Sequence, residues 1–184
     1  RHICDYRLPF QVRLRFVYVN HFRSLAFGLS NQTDLTRSES KDLIDTYYKT
    51  YPKLRNYMSN LVDDAREDGY VSTVLGRRRY LKDINSSNGV VRGAAERNAV
   101  NAPIQGSAAD IIKVAMINIH KKLAEGNFKT KMLLQVHDEL VFDVPKNELE
   151  DIKTLVKTEM ESAYTLSVPL DVEVGVGNDW LEAH

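Results

Sequence analysis

The chain has 184 residues, 43% of them hydrophobic, enough to fill the core of one ordinary domain or two small ones. Lysine plus arginine equal aspartate plus glutamate at 25 each, so the net charge neither requires nor excludes a polyanionic partner. A single cysteine, Cys4, excludes an internal disulfide framework and a cysteine-based zinc site, and a reducing, cytoplasmic setting is the simpler expectation.

Residues 1–25 carry five arginines, no lysine and one acid, Asp5, among aromatic and β-branched residues, and their pattern assigns no structure. Thr36 and Glu39 then form a capping box, and Leu43, Ile44, Tyr47 and Tyr48 follow at helical spacing, predicting a helix to about Thr50. Pro52 suits the first turn of a second helix, antiparallel to the first. It would bury Leu54, Tyr57, Met58, Leu61 and Ala65 and stop at Gly69. Tyr70 to Leu75 reads as a strand turned by Gly76 into Arg77, Arg78 and Arg79, and Asn85 to Gly89 reads as a loop. A helix from about Val91 should break at Pro103, where a new one starts and runs to about Ala124 with Gly126 as its cap. Lys131 to Val136 and Leu140 to Val144 make a hairpin with His137, Asp138 and Glu139 at its tip. Asn147 caps a helix to about Tyr164, and Leu170 to Gly175 is a last strand. No apolar run approaches the roughly 20 residues that span a bilayer, and the start lacks the form of a signal peptide. The chain begins without methionine, as one cut from something longer or trimmed would. Helices followed by a helix on a small antiparallel sheet define an α+β class.

Charge is unevenly distributed. Arg77, Arg78, Arg79, Lys82, Arg92 and Arg97 face only Asp83 and Glu96 within residues 77–97, whereas residues 138–161 are strongly acidic. Such a pairing suits a protein holding both nucleic acid and a cation, although two solvated helix faces would look the same. A hairpin-tip carboxylate at Asp138 is the kind of hard oxygen ligand that Mg²⁺ takes, while turns are polar by default. Arg97, Asn101 and Gln105 recur every four residues and offer donors at three reaches toward minor-groove acceptors present at nearly every base pair. The competing reading pairs Arg97 with an acid and uses Asn101 to cap the helix after Pro103. Gly106, Ser107, Ala108 and Ala109 permit close approach of a backbone or of DNA. Asp110, in the first turns of the expected new helix, suits a structural role beside its dipole.

Taken together, RGAAERNAVNAPIQGSAADIIK at Arg92 to Lys113 and QVHDE at Gln135 to Glu139 resemble the late motifs of family A DNA polymerases. TVLGRRRYL at Thr73 to Leu81 is similar to the preceding fingers segment, and GNDWLEAH to the family's C-terminus, so the resemblance spans about Ala26 to His184. It implies partial fingers over 26–91 and the C-terminal part of a palm over 92–184, with a small sheet of the metal-site hairpin plus the C-terminal strand. It makes Asp138 a ligand of two catalytic magnesium ions, Glu139 its less essential neighbour, and His137 a residue approaching the primer end. Arg97, Asn101 and Gln105 become primer-template contacts, and Arg77 to Arg79 fall generally on the nucleic-acid side. Primer-template DNA and deoxynucleoside triphosphates are the implied partners.

Two departures accompany the resemblance. The family's other metal aspartate, in a motif of the form DYSQIELR, is not here, Asp5-Tyr6 being too little to stand for it. The nucleotide-binding helix expected within residues 1–25 is also missing. The implied function is therefore a polymerase segment that is itself inactive or nearly so. A non-catalytic DNA-binding module is the alternative, and a metal-dependent phosphohydrolase on His137, Asp138 and Glu139 ranks last. Missing palm strands would leave sheet edges open to self-association. The abrupt loss of resemblance upstream of AFGLS (Ala26 to Ser30) suggests a shifted reading frame. Translating the encoding DNA in its other two frames is expected to yield the missing helix; if neither frame does, a shift is not the cause.

Overall fold

The computed structural model describes residues 7–15, 29–31 and 33–183, giving the backbone alone for 7–15, 180 and 181. Cys4, Asp5-Tyr6, Ala26 to Gly28 and His184 lie outside the described residues. The elements are β1 (Arg7–Arg15), α1 (Arg37–Thr50), α2 (Pro52–Asp68), β2 (Tyr70–Ser72), β3 (Arg78–Tyr80), α3 (Gly89–Glu125), β4 (Lys131–Val136), β5 (Glu139–Pro145), α4 (Leu149–Glu161), β6 (Asp171–Val176) and α5 (Trp180–Ala183). The class is α+β. The chain divides into two compact units, residues 17–107 and residues 1–16 with 108–184.

In the unit of residues 17–107, the expected capping box is present, with Thr36 accepting from the Glu39 amide while Glu39 accepts from the Thr36 amide. The Thr36 hydroxyl also donates to the Glu39 carboxylate at 2.7 Å, and this bond first, then the one from the Thr36 amide, holds the Glu39 carboxyl below its ordinary value. Pro52 opens α2, and Gly69 closes it in the left-handed conformation at φ 77°. The buried stripe of α2 is Met58, Val62 and Ala65, packed with Val71, Leu81, Ile84, Ala95, Ala99 and Val100. Tyr57, expected inside, is exposed, because Val62 rather than Tyr57 and Leu61 faces the small residues of α3. The strand expected to reach Leu75 ends at Ser72. Thr73 accepts from the Gly76 amide and donates its own to Arg77, closing a loop back into β3.

One helix, not two, runs from Gly89 to Glu125 with Pro103 inside it. Asn88 caps it, its Oδ1 accepting from the amides of Val90 and Val91. Proline lacks the N–H that would reach the Ala99 carbonyl, a defect usually costing about 3 kcal/mol. Buried residues on both sides, Ala95, Ala99 and Val100 before it and Ile111, Ile112, Ala115 and Ile119 after it, offset that cost. Asp110 accordingly lies mid-helix, away from any N-terminal dipole, and is buried. At the far end the left-handed residue is Asn127 at φ 51°, not Gly126. The amides of Phe128 and Asn127 return to the carbonyls of Leu123 and Ala124 in a Schellman arrangement. Gly126 is required for another reason, since a Cβ there would collide with the Phe128 ring.

The second unit builds an antiparallel sheet in the order β4-β5-β1-β6. The segment left unassigned in the sequence thus lies between the hairpin and the C-terminal strand that were expected to form the sheet by themselves. β1 pairs with β5 from Arg7↔Pro145 to Arg13↔Glu139, and with β6 from Phe10↔Val176 to Arg15↔Asp171. Pro9 falls where β1 has only β5 beside it, so its missing donor interrupts at most one ladder. Leu140, Phe142 and Val144 of β5 pack with Ile152, Val156 and Met160 of α4 and with the second half of α3. Asn147 lies in a 3₁₀ turn, Lys146–Glu148, and does not cap α4, whose flanking residue is Glu148. The Glu148 carboxylate instead accepts from the amides of Lys129 and Thr130 and from the Thr130 hydroxyl at 2.7–3.1 Å.

Partial burial pushes the Glu148 carboxyl up, but those hydrogen bonds and the Lys129 charge outweigh it and leave its pKa below the ordinary 4.5. With the folded value depressed, the unfolded chain takes up the proton first as pH falls. The stabilisation is therefore whole above about 4.5 and is lost as pH descends through the folded value. Glu148→Ala is expected to cost about 1–2 kcal/mol at pH 7 in denaturant melts. Its difference from wild type should shrink progressively below pH 4.5, and a pH-independent difference would contradict the assignment.

Candidate nucleic-acid interface and carboxylate hairpin

In the unit of residues 17–107, the loop between β2 and β3 is fastened onto α3 one turn beyond Pro103. The Val74 amide donates to Ser107 Oγ at 3.0 Å, and that hydroxyl donates in turn to the Pro103 carbonyl. Arg77 Nη2 donates to the Gly106 carbonyl at 3.1 Å. Gly106 has to be glycine for this approach, since a Cβ would stand 2.6 Å from Thr73 Cγ2. The clamp encloses a pocket of about 110 Å³ lined by Thr73, Arg77, Arg78, Arg79, Gln105 and Gly106, among others. Arg78 lies 4.4 Å over the Tyr70 ring, a cation–π contact that fixes its guanidinium. Arg77 and Arg78, expected on the nucleic-acid side, are thus both positioned by contacts within the chain. Gly106 and Ser107 admit the close approach of a backbone expected of them, but nothing local marks the β2–β3 loop, 33 residues away between Val74 and Ser107, as what approaches.

Arg97, Asn101 and Gln105 fall on one continuous helix, so their four-residue spacing puts them on one side of it. Arg97 and Gln105 are exposed and Asn101 is half-buried. Both structural alternatives fail here. No helix begins at Pro103 for Asn101 to cap, and among the described residues Arg97 has no ion-pair partner. The nearby acid, Glu96, is instead taken by Arg66 at 2.7 Å and Arg92 at 3.8 Å. Three side chains with hydrogen-bonding groups therefore stand uncommitted among the described residues.

The second unit carries the hairpin. Its turn is two residues, His137 and Asp138, and Glu139 already belongs to β5, one residue earlier than expected. His137 adopts φ 53°, while Asp138 does not have a positive φ, the pattern of a type II′ turn in which glycine is usual at the first position. Gln135 Nε2 donates to the His137 carbonyl at 2.9 Å and clasps the turn. Gln135 opens the QVHDE motif, but nothing in the sequence assigned it this hold on the turn. His137 is exposed, whereas Asp138 and Glu139 are 9% and 6% exposed and are both held by interactions within the chain. Among the described residues, no three His, Cys, Asp or Glu side chains gather where a metal ion could sit. Two adjacent carboxylates do not by themselves fit a two-ion centre, whose ions share bridging ligands.

A model of the family described as DNA polymerase family A matches residues 15–182, and the chain belongs to that family. It is 55% identical over 157 residues to DNA polymerase I of Streptococcus pneumoniae, covering 85% of this chain and 18% of that protein. DNA polymerase I of Lactococcus lactis subsp. cremoris is 54% identical over 157 residues, with the same coverage. That of Mycobacterium tuberculosis is 53% identical over 155 residues, covering 84% of this chain and 17% of the relative. Among solved structures, the POL domain of Pol1 from M. smegmatis in complex with DNA primer-template and dNTP superposes with a TM-score of 0.83 at 49% identity. The match covers 88% of this chain and 29% of that one. The chain thus spans less than a fifth of the length of these curated relatives. No helix among the described residues is long and apolar enough to cross a membrane.

A non-glycine residue at positive φ costs on the order of 1–2 kcal/mol. His137→Gly is therefore expected to raise the unfolding free energy by about 1 kcal/mol in chemical denaturation. An equal loss would mean that the imidazole makes stabilising contacts that exceed the strain.

Proposed function

We propose that this chain is the segment of a DNA-directed DNA polymerase that grips the primer-template near the insertion site and carries one catalytic carboxylate. The whole protein would add deoxynucleotides to a primer 3′ end by magnesium-dependent phosphoryl transfer, in replication and repair, in the cytoplasm. The single observation that carries the reading is the row of Arg97, Asn101 and Gln105, uncommitted among the described residues of one helix. Their donors meet purine N3 and pyrimidine O2 in the minor groove, which checks duplex shape without reading sequence. Residues 26–91 belong to the fingers and 92–184 to the palm in this reading. Exposed His137 approaches the primer end.

Asp138 is the residue that would hold magnesium, with Glu139 beside it. In a polymerase such an ion neutralises charge on the transferring phosphoryl group. The carboxylates described in this chain do not fit two ions, so no step of its chemistry passes through them, and the 184-residue chain is inactive or nearly so. Self-association would engage the edge strands β4 and β6. A second reading, a non-catalytic DNA-binding module, is favoured by one fact. The polar row and the basic hairpin lie together within residues 17–107, while the carboxylates belong to the other unit.

Purified chain with primed template, deoxynucleotides and Mg²⁺ is expected to give no extension, and robust extension would sink the inactivity. Binding of primed duplex should weaken with salt. Arg97→Ala should lower affinity across sequences and reduce the slope of log affinity against log salt by about one. Unchanged affinity and slope in that variant would remove the polar row from the interface.

A further inference from the structure

The first turns of α3 are built largely from residues too small to fix how the helix is turned about its axis. Gly89, Gly93, Ala94, Ala95 and Ala99 carry at most a methyl group, and of residues 89–100 only Ala95, Ala99 and Val100 are buried in the core shared with α2. Beside them the joint is hollow, a groove of about 310 Å³ whose lining includes Met58, Val62, Arg66 and Glu96. Small side chains interdigitate shallowly, so apolar packing by itself tolerates some rotation of the helix. A circuit of polar contacts stands at the edge of this groove. Arg66, in the last turn of α2, forks between Asp63 of its own helix at 2.8 Å and Glu96 of α3 at 2.7 Å. Glu96 also meets Arg92 at 3.8 Å, and Arg92 Nη1 donates to the Ser86 carbonyl at 2.9 Å. Asn85 Nδ2 donates to the Arg66 carbonyl at 3.0 Å and closes the circuit. The end of α2, the connection into α3 and α3 itself thus meet around the Glu96 carboxylate.

We propose that Glu96, fastened by Arg66, is a positioning residue for the nucleic-acid interface: it sets the rotation of α3 and so aims Arg97 at the duplex, touching no nucleic acid itself. Ion pairs this accessible, with side chains 41% and 26% exposed, contribute little to stability, but a carboxylate bridged from two sides fixes a direction. Successive residues of a helix point about 100° apart, so with Glu96 turned to α2 its neighbour Arg97 is turned away from Glu96 and outward. The Arg97 guanidinium lies back over Gly93, Nη1 standing 3.6 Å from where a Cβ would be, on the turn that Arg92 and Glu96 hold. A rotation too slight to cost much folding free energy would still carry that guanidinium off its target. The proposal rests on the reading of Arg97, Asn101 and Gln105 as the duplex contact and adds what holds that row upstream of Pro103.

Charge and positioning predict opposite signs for the removal of Glu96. An acid one residue from a duplex contact repels phosphate, so deleting it should tighten binding if repulsion is all it does. The test measures the affinity of the 184-residue chain for primed duplex by fluorescence anisotropy at fixed salt. Glu96→Ala is expected to weaken binding roughly 3- to 30-fold, and Arg97→Ala to add almost nothing in that background. Arg66→Ala should repeat the loss and likewise add nothing to Glu96→Ala, while thermal unfolding and far-UV circular dichroism of each variant stay close to wild type. Tighter or unchanged binding by Glu96→Ala would overturn the proposal while leaving the duplex interface intact. So would full additivity of Glu96→Ala with Arg97→Ala, or a loss of affinity that tracks a loss of thermal stability. Unchanged duplex binding by Arg97→Ala alone would overturn the interface reading and the proposal with it.

Discussion

The clamp between the β2–β3 loop and the middle of α3 is the constraint on which the rest of the residue 17–107 unit depends. Pro103 removes a hydrogen bond from the helix at the point where the chain must keep its direction, so that the polar row upstream and downstream shares one side. Ser107, at once donor to the Pro103 carbonyl and acceptor from Val74, ties the weakened turn to a separate element. Arg77 does the same at Gly106, and the absence of a side chain there allows both. Lose the clamp and the side chains of Arg97 and Gln105 would no longer be held in a common register, whatever their spacing in sequence.

The hairpin of the other unit shows the opposite economy. There the backbone is driven into an uncommon conformation at His137, and the strain is held by the pairing of β4 with β5 and by the Gln135 side chain. The consequence is a sharp two-residue turn that exposes an imidazole and draws two carboxylates inward. Burial of adjacent acids raises the free energy of their charged forms unless partners compensate. Asp138 and Glu139 each make an interaction within the chain. A strand from outside most of the family match, β1, pairs directly with the carboxylate-bearing strand β5, opposite Glu139 at Arg13.

Much of this was legible beforehand, and the reasons are local. The capping box at Thr36 and Glu39, Pro52 at a helix start, Gly69 at a helix end and the β-rich runs around the hairpin each act over a few residues, within reach of sequence rules. The readings that failed shared one cause. Pro103 was read as a break and Asn147 as a cap because local chemistry favours both. Core burial on either side kept the helix whole at Pro103, and at the other position Glu148 was drawn to Lys129 and Thr130 nineteen residues away. β1 went unread because its apolar residues alternate only from Leu8 to Leu14, and the surrounding residues dilute the pattern.

The amino-acid sequence by itself determined the α+β class, most of the helices, the hairpin and the family, because these rest on periodicity, capping residues and the two motifs at Arg92 to Lys113 and Gln135 to Glu139. Tertiary structure alone decided that Arg97, Asn101 and Gln105 stay uncommitted among the described residues, that Arg77 and Arg78 are anchored, and that Asp138 and Glu139 are buried. The physical reason is that a side chain's availability depends on which partners reach it first. Such partners come from other elements, as the Gly106 carbonyl 29 residues from Arg77 does, beyond the range of any local pattern.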